Sequence, residues 1–132
     1  MLRERLGKEL LLVDGAMGAM LQQAGMPAGA IPEELNIDDP ALIERIHREY
    51  LHAGADFLTT NTFGCNALKM KESRYDFQDM IRAGADCARR AIAAEGRKAY
   101  VALDIGPIGQ LMEPMGTLKF DEAYTLFQDM IN

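Results

Sequence analysis

Three short polar turns hold most of the side chains in this sequence that could do chemistry on a small molecule. They are Asp14-Gly15-Ala16-Met17-Gly18, Thr59-Thr60-Asn61-Thr62-Phe63-Gly64 and Asp104-Ile105-Gly106-Pro107-Ile108-Gly109. Asp14 and Asp104 offer carboxylates, which accept from an ammonium group. The backbone N–H groups of Gly15 and Ala16 can hold a carboxylate, and Thr60, Asn61 and Thr62 can serve either partner. Together they suit a small zwitterion. Taken singly, each turn has a plainer explanation: Asp14 and Asp104 cap the turns, and the glycines supply positive φ. Three such turns on one rim give the chemical explanation its weight.

Whether they share a rim depends on the elements that carry them. Each turn follows a short, mostly continuous apolar run: Leu10-Leu11-Leu12-Val13, Phe57-Leu58 and Tyr100-Val101-Ala102-Leu103. Runs of this kind suit strands covered on both faces, as in a parallel sheet. Helical patterns lie between and after them. Asp39 caps and Pro40 starts the first, with Leu42, Ile43, Ile46, Tyr50 and Leu51 at helical spacing and Gly54 as its stop. A second starts near Asp76, carries Met80, Cys87 and Ala91 beside Phe77, Ile81, Ala88 and Ile92, and stops at Gly96. A third starts at Asp121, with Tyr124, Phe127, Met130 and Ile131 apolar. The segment Met26 to Ile37, rich in Pro, Gly and acids, reads as a loop. Strand, helix, strand, helix, strand, helix is the order of a β/α architecture, whose chemistry gathers at the carboxyl ends of the strands. The expected fold class is α/β, with residues 1–132 as a single incomplete domain. Three parallel strands cannot close a barrel, which takes eight.

Composition narrows the function classes. The chain has 132 residues with 14 Lys+Arg against 20 Asp+Glu, a net charge of −6. That balance argues against a phosphate-backbone footprint, so no nucleic-acid partner is expected. The longest aliphatic run, Leu10 to Val13, is far short of a membrane span, and no secretory signal opens the chain. A cytoplasmic protein is expected. Cys65 and Cys87 are too few for a disulfide scaffold and have no zinc-ligand spacing; they read as buried small hydrophobes. His47 and His52 do not share a helix face as an i, i+4 pair would, and are read as surface or helix-end residues. The nine methionines read as core filler. Two recurrences, FQDMI at Phe77 and Phe127 and AGAD at Ala53 and Ala83, have discordant offsets and do not mark a repeat.

Four segments in order resemble the homocysteine S-methyltransferase family: LLVDGAMGAMLQ, PEELN (Pro32 to Asn36), GADFLTTNTFG (Gly54 to Gly64) and ALDIGPIG (Ala102 to Gly109). The likeness is nearest to the N-terminal homocysteine-binding module of the cobalamin-dependent methionine synthases, and it runs from about Leu10 to the end. It implies a partial TIM (β/α)8 barrel, the first three βα units with parallel strands, whose rim binds homocysteine beside a zinc ion. The family's thiolate-bound zinc ionises the homocysteine thiol, which attacks a methyl group to give methionine. Methylcobalamin, recharged by methyltetrahydrofolate on other modules, is the donor in the nearest relatives. Position by position, the resemblance places Asp14 and Gly15 at the amino-acid end of homocysteine, where the adjoining Ala16 N–H is also counted as substrate-binding. Thr60, Asn61 and Thr62 line the pocket, and Asp104 and Gly106 form its wall. No metal ligand or catalytic residue is assigned, because the family's zinc cysteines lie on later strands.

The chain is therefore expected to be inactive alone. Its third strand should offer an unpaired edge to the remainder of the barrel or to another copy of itself, giving self-association or marginal stability. Two alternatives stay open: a non-catalytic interaction module from a truncated gene, and a small α/β domain that binds a carboxylated metabolite.

Overall fold

The computed structural model describes residues 1–132. A short helix α1 (Leu2–Arg5) is followed by α2 (Met17–Gln23), a 3-10 turn at Pro32–Glu34, α3 (Leu35–Asp38) and α4 (Pro40–His52). Strand β1 (Phe57–Thr59), a second 3-10 turn at Lys69–Glu72, α5 (Phe77–Glu95), β2 (Tyr100–Ala102) and α6 (Phe120–Ile131) complete the order.

Local signals set the main helix boundaries. Asp39 Oδ1 accepts from Leu42 N at 3.1 Å, and Pro40 opens α4 at its first position. Asp76 caps α5 through Gln78 N at 2.9 Å, and Gly96, at φ 61°, ends it in a left-handed turn. The buried stripe of α4 (Ile43, Ile46, Leu51) meets that of α5 (Met80, Cys87, Ala88, Ala91). Each large aliphatic side chain buried here contributes about 1.5–3 kcal/mol. Leu58 of β1 and, from the edge, Val101 of β2 rest on the same layer. A smaller cluster of Ile108, Leu118 and Ala123 ties α6 to the segment after β2.

β1 and β2 pair in parallel, with Phe57 opposite Tyr100 and Thr59 opposite Ala102. The first apolar run departs from the three-strand expectation. It is held to β1 by one parallel bridge, Val13 to Phe57, with Leu12 O accepting from Asp56 N at 2.8 Å and Asp14 N donating to Phe57 O at 3.1 Å. Its other edge has no neighbour, and Leu10, Leu12 and Val13 are exposed. Paired on one side only and uncovered, the segment gains too little burial to extend the ladder. Two further corrections concern the helices. The supposed loop from Met26 to Ile37 contains the Pro32–Glu34 turn and most of α3, which packs on α4 and α5. His47 is not a surface residue: it is fully buried on the inner face of α4, while His52 is exposed near the end of that helix and pairs with Glu95. Cys65 and Cys87 are buried and unpaired, as their composition suggested.

Candidate functional site

The second and third turns are joined by a closed ring of hydrogen bonds. Thr62 Oγ1 donates to Asp104 O at 2.8 Å, and Asp104 N donates to Thr60 Oγ1 at 3.1 Å. The two hydroxyl oxygens are 2.7 Å apart. Since Thr62 has given its only proton to Asp104, the Thr60 hydroxyl must donate to Thr62. Both side chains are buried, so the ring latches two turns that lie more than forty residues apart. Thr62→Val keeps the shape but leaves the Asp104 carbonyl and the Thr60 hydroxyl unmatched. Denaturant melts should show a loss of about 1–3 kcal/mol for Thr62→Val and near-native stability for Thr62→Ser.

Asn61 extends the lattice downward. Its Nδ2 donates to Pro32 O at 2.8 Å and Asn36 Oδ1 at 3.0 Å, while Asn36 Nδ2 donates to Asn61 O at 2.8 Å and Met80 O at 3.0 Å. Glu33, on the 3-10 turn, accepts from Gly64 N at 2.6 Å through Oε1. A Cβ at Gly64 would fall 2.7 Å from that oxygen, so a larger residue there would have to displace the Glu33 carboxylate.

The first turn is anchored separately. Asp14 Oδ2 accepts from Thr59 N at 2.9 Å and Oδ1 from Thr59 Oγ1 at 2.8 Å. Burial nevertheless holds the Asp14 carboxyl above its usual range against these bonds, and the charge of Asp104 adds to the rise. Asp104 is raised as well, by burial. Gly15 lies under the Tyr50 ring, where a Cβ would sit 2.9 Å from the phenol oxygen, and Tyr50 OH donates to Ala16 O at 3.2 Å. Neither the Gly15 nor the Ala16 N–H donates to a protein acceptor.

A cavity of about 280 Å³ opens where these pieces converge. It is lined by Met17 and Gly18 from the first turn, Pro32 and Glu33 from the PEELN segment, Thr60, Asn61, Thr62 and Phe63, and Asp104. Four of the eight residues singled out from the sequence thus line one cavity. Asp14, Gly15 and Ala16 stand beside it on the rim, and Gly106 lies behind, its N–H donating to Phe63 O at 3.1 Å. Glu33, Asn36 and Tyr50 were missed as site residues. PEELN drew notice as a motif, but nothing in its local pattern shows that Glu33 turns inward. A larger cavity, about 500 Å³, lies between α5, β2 and the end of α6 and touches the second turn at Thr60.

A family profile described as Homocysteine S-methyltransferase matches residues 11–132. The chain belongs to this family. Among its relatives, the methionine synthase of Mycobacterium tuberculosis (strain ATCC 25618 / H37Rv) is 36% identical over 136 residues, covering 91% of this chain. That of Mycobacterium leprae (strain TN) is 36% identical over 140 residues, covering 94%. In both cases the match spans only 11% of the relative's length. The homocysteine methyltransferase MmuM from Escherichia coli, in its oxidised form, superposes with a TM-score of 0.70 at 27% identity. That likeness covers 82% of this chain and 41% of MmuM. The apo form of MmuM gives 0.67 at 26% identity, covering 98% and 46%.

This part of the family fold does not itself fit a zinc ion. No three His, Cys, Asp or Glu side chains are grouped to hold a metal. Burial pushes the Cys65 thiol up to about 12 and raises that of Cys87, opposite to what a thiolate ligand needs. No helix is long and apolar enough to cross a membrane.

Proposed function

We propose that this chain is the homocysteine-binding part of a zinc-dependent homocysteine S-methyltransferase of the methionine synthase type, acting in the cytoplasm. The observation that carries the reading is the cavity on which all three turns and the PEELN segment converge. Gly15 and Ala16 have free N–H groups for the substrate carboxylate, and Asp14 stands next to them as an acceptor for the ammonium group. Asp14 retains unused lone pairs after its bonds to Thr59, and a bound cation would offset the burial that raises it. Thr60 and Thr62 fix the wall through their ring with Asp104 instead of contacting ligand through their hydroxyls. Asn61 and Gly106 tie the wall to the elements behind it.

The zinc that activates the thiol, and the cobalamin and methyltetrahydrofolate that supply the methyl group, are assigned to residues and modules outside this chain. The first three βα units of the barrel are the part that it supplies. Support for a partner at the open side comes from α6, where Phe120, Tyr124, Phe127 and Ile131 are exposed on successive turns, and from the free outer edge of β2. The remainder of the barrel or another copy is the proposed occupant, and the chain alone is inactive.

Calorimetric titration of the chain with L-homocysteine tests the assignment. Weak binding is expected, with Kd on the order of 1 mM, unchanged by added zinc and lost in Asp14→Ala. Tight binding that requires zinc would refute the absence of metal ligands. Binding of simple dicarboxylates in preference to homocysteine would favour a general metabolite site.

A further inference from the structure

Every unsatisfied side-chain polar group identified facing the cavity is an acceptor, the free donors being backbone N–H groups of the first turn. The Thr60 and Thr62 hydroxyl protons are committed to the ring, and the Asn61 amide nitrogen donates to Pro32 O and Asn36 Oδ1. Glu33 is different. Only 5% of it is exposed, one carboxylate oxygen accepts from Gly64 N–H, and the other receives no protein donor. The Asp104 carboxylate shares the cavity and also lacks a donor. No Lys, Arg or His lines this space. The Lys69 ammonium lies over the Phe63 ring at 5.4 Å and forms no ion pair with Glu33. The free Glu33 oxygen is therefore open to the cavity, where a cation or donor can reach it.

We infer that Glu33 is a substrate-binding residue, its free oxygen receiving the α-ammonium group of the amino-acid substrate together with Asp14 and Asp104. An ammonium carries three N–H donors and no acceptor, which matches the Glu33 and Asp104 carboxylates of the cavity with Asp14 on its rim, while the first-turn N–H groups are left for the substrate carboxylate. The inference rests on the proposed function and adds a chemical selection to it: the site should reject thiol acids that lack the amine.

The test follows backbone amide NMR of the full chain titrated with L-homocysteine and with 4-mercaptobutanoate, the same thiol acid without the amine. Wild type should bind homocysteine at least tenfold more tightly. Glu33→Gln should remove that preference, weakening homocysteine about tenfold and leaving 4-mercaptobutanoate unchanged. Its remaining carbonyl still accepts from Gly64 N–H, so an unmoved Gly64 signal reports that the latch persists. Equal weakening of both ligands would mean that Glu33 only shapes the cavity, and unaltered homocysteine binding would exclude it from the site. Equal affinity of wild type for the two ligands overturns the inference without any variant. If wild type binds neither, the proposed function itself fails, and the role of Glu33 with it.

Discussion

Acidification from pH 7 to pH 4 should remove about 3 kcal/mol of stability through His47 alone. The ring is fully buried on the inner face of α4, and neither Nδ1 nor Nε2 has a partner. Burial lowers its pKa from 6.5 to about 4, with Glu44 opposing the shift as the only charge acting on it noticeably. The unfolded chain takes up a proton on this ring below about 6.5, whereas the folded chain resists until near 4. Between those limits the unfolded state binds more protons, so stability falls as pH falls. At about 1.4 kcal/mol per tenfold, the gap gives the stated loss. Asp14 and Asp104 act in the opposite sense, because their raised values favour the fold at low pH. The His47 contribution is therefore the difference between wild type and His47→Leu. Urea melts across this range should give the variant a flatter profile. At pH 7 it should match or exceed wild type, since an apolar side chain of similar size leaves no buried polar atoms unmatched. Parallel profiles for the two proteins would show that His47 finds a partner or solvent in solution.

The second large effect is expected at Gly106. Its φ is not positive, so conformational freedom is not what requires glycine. A Cβ there would sit 2.3 Å from Phe63 O, the carbonyl that accepts the Gly106 N–H, and 2.9 Å from the Phe63 ring. Alanine must push the third turn off the second, strain the ring between Thr60, Thr62 and Asp104, and deform the cavity. A loss of about 2–3 kcal/mol is expected, read as a fall in Tm of roughly 5–15 °C, with weaker homocysteine binding. Gly18→Ala, on the same rim, is the contrast. A Cβ there meets nothing within 4 Å, and in α2 alanine should raise stability by about 0.5–1 kcal/mol. If Gly106→Ala melts with wild type, the approach of the two turns is not the constraint that the geometry implies.

The site shows how far sequence reasoning reached. The three turns were legible because each follows an apolar run and breaks it with Asp, Asn or Gly, and β/α order alone puts such turns at one end of a parallel sheet. Their individual duties were not. Thr60 and Thr62 have the chemistry of ligand-binding hydroxyls, yet their protons are taken by each other and by a carbonyl more than forty residues away. Glu33 looked like one acid among several in a polar segment. Its role in the cavity comes from a bond to Gly64, thirty-one residues on.

The amino-acid sequence by itself determined what short-range physics controls. Asp39 and Asp76 start helices, Gly96 ends one, and apolar spacing selects the faces of α4 and α5 that bury. These depend on neighbours within a turn or two of chain, so they are written locally. The tertiary structure decided the rest: how much of Leu10–Val13 becomes strand, that Pro32–Asp38 coils into helical turns, that His47 is enclosed, and which hydroxyl donates to which. Each of those outcomes depends on what segments distant in the chain bring to the contact, by covering an apolar face or by supplying the one free acceptor. Pairing energies of that kind exist only once the backbone has been folded, and no local pattern encodes them.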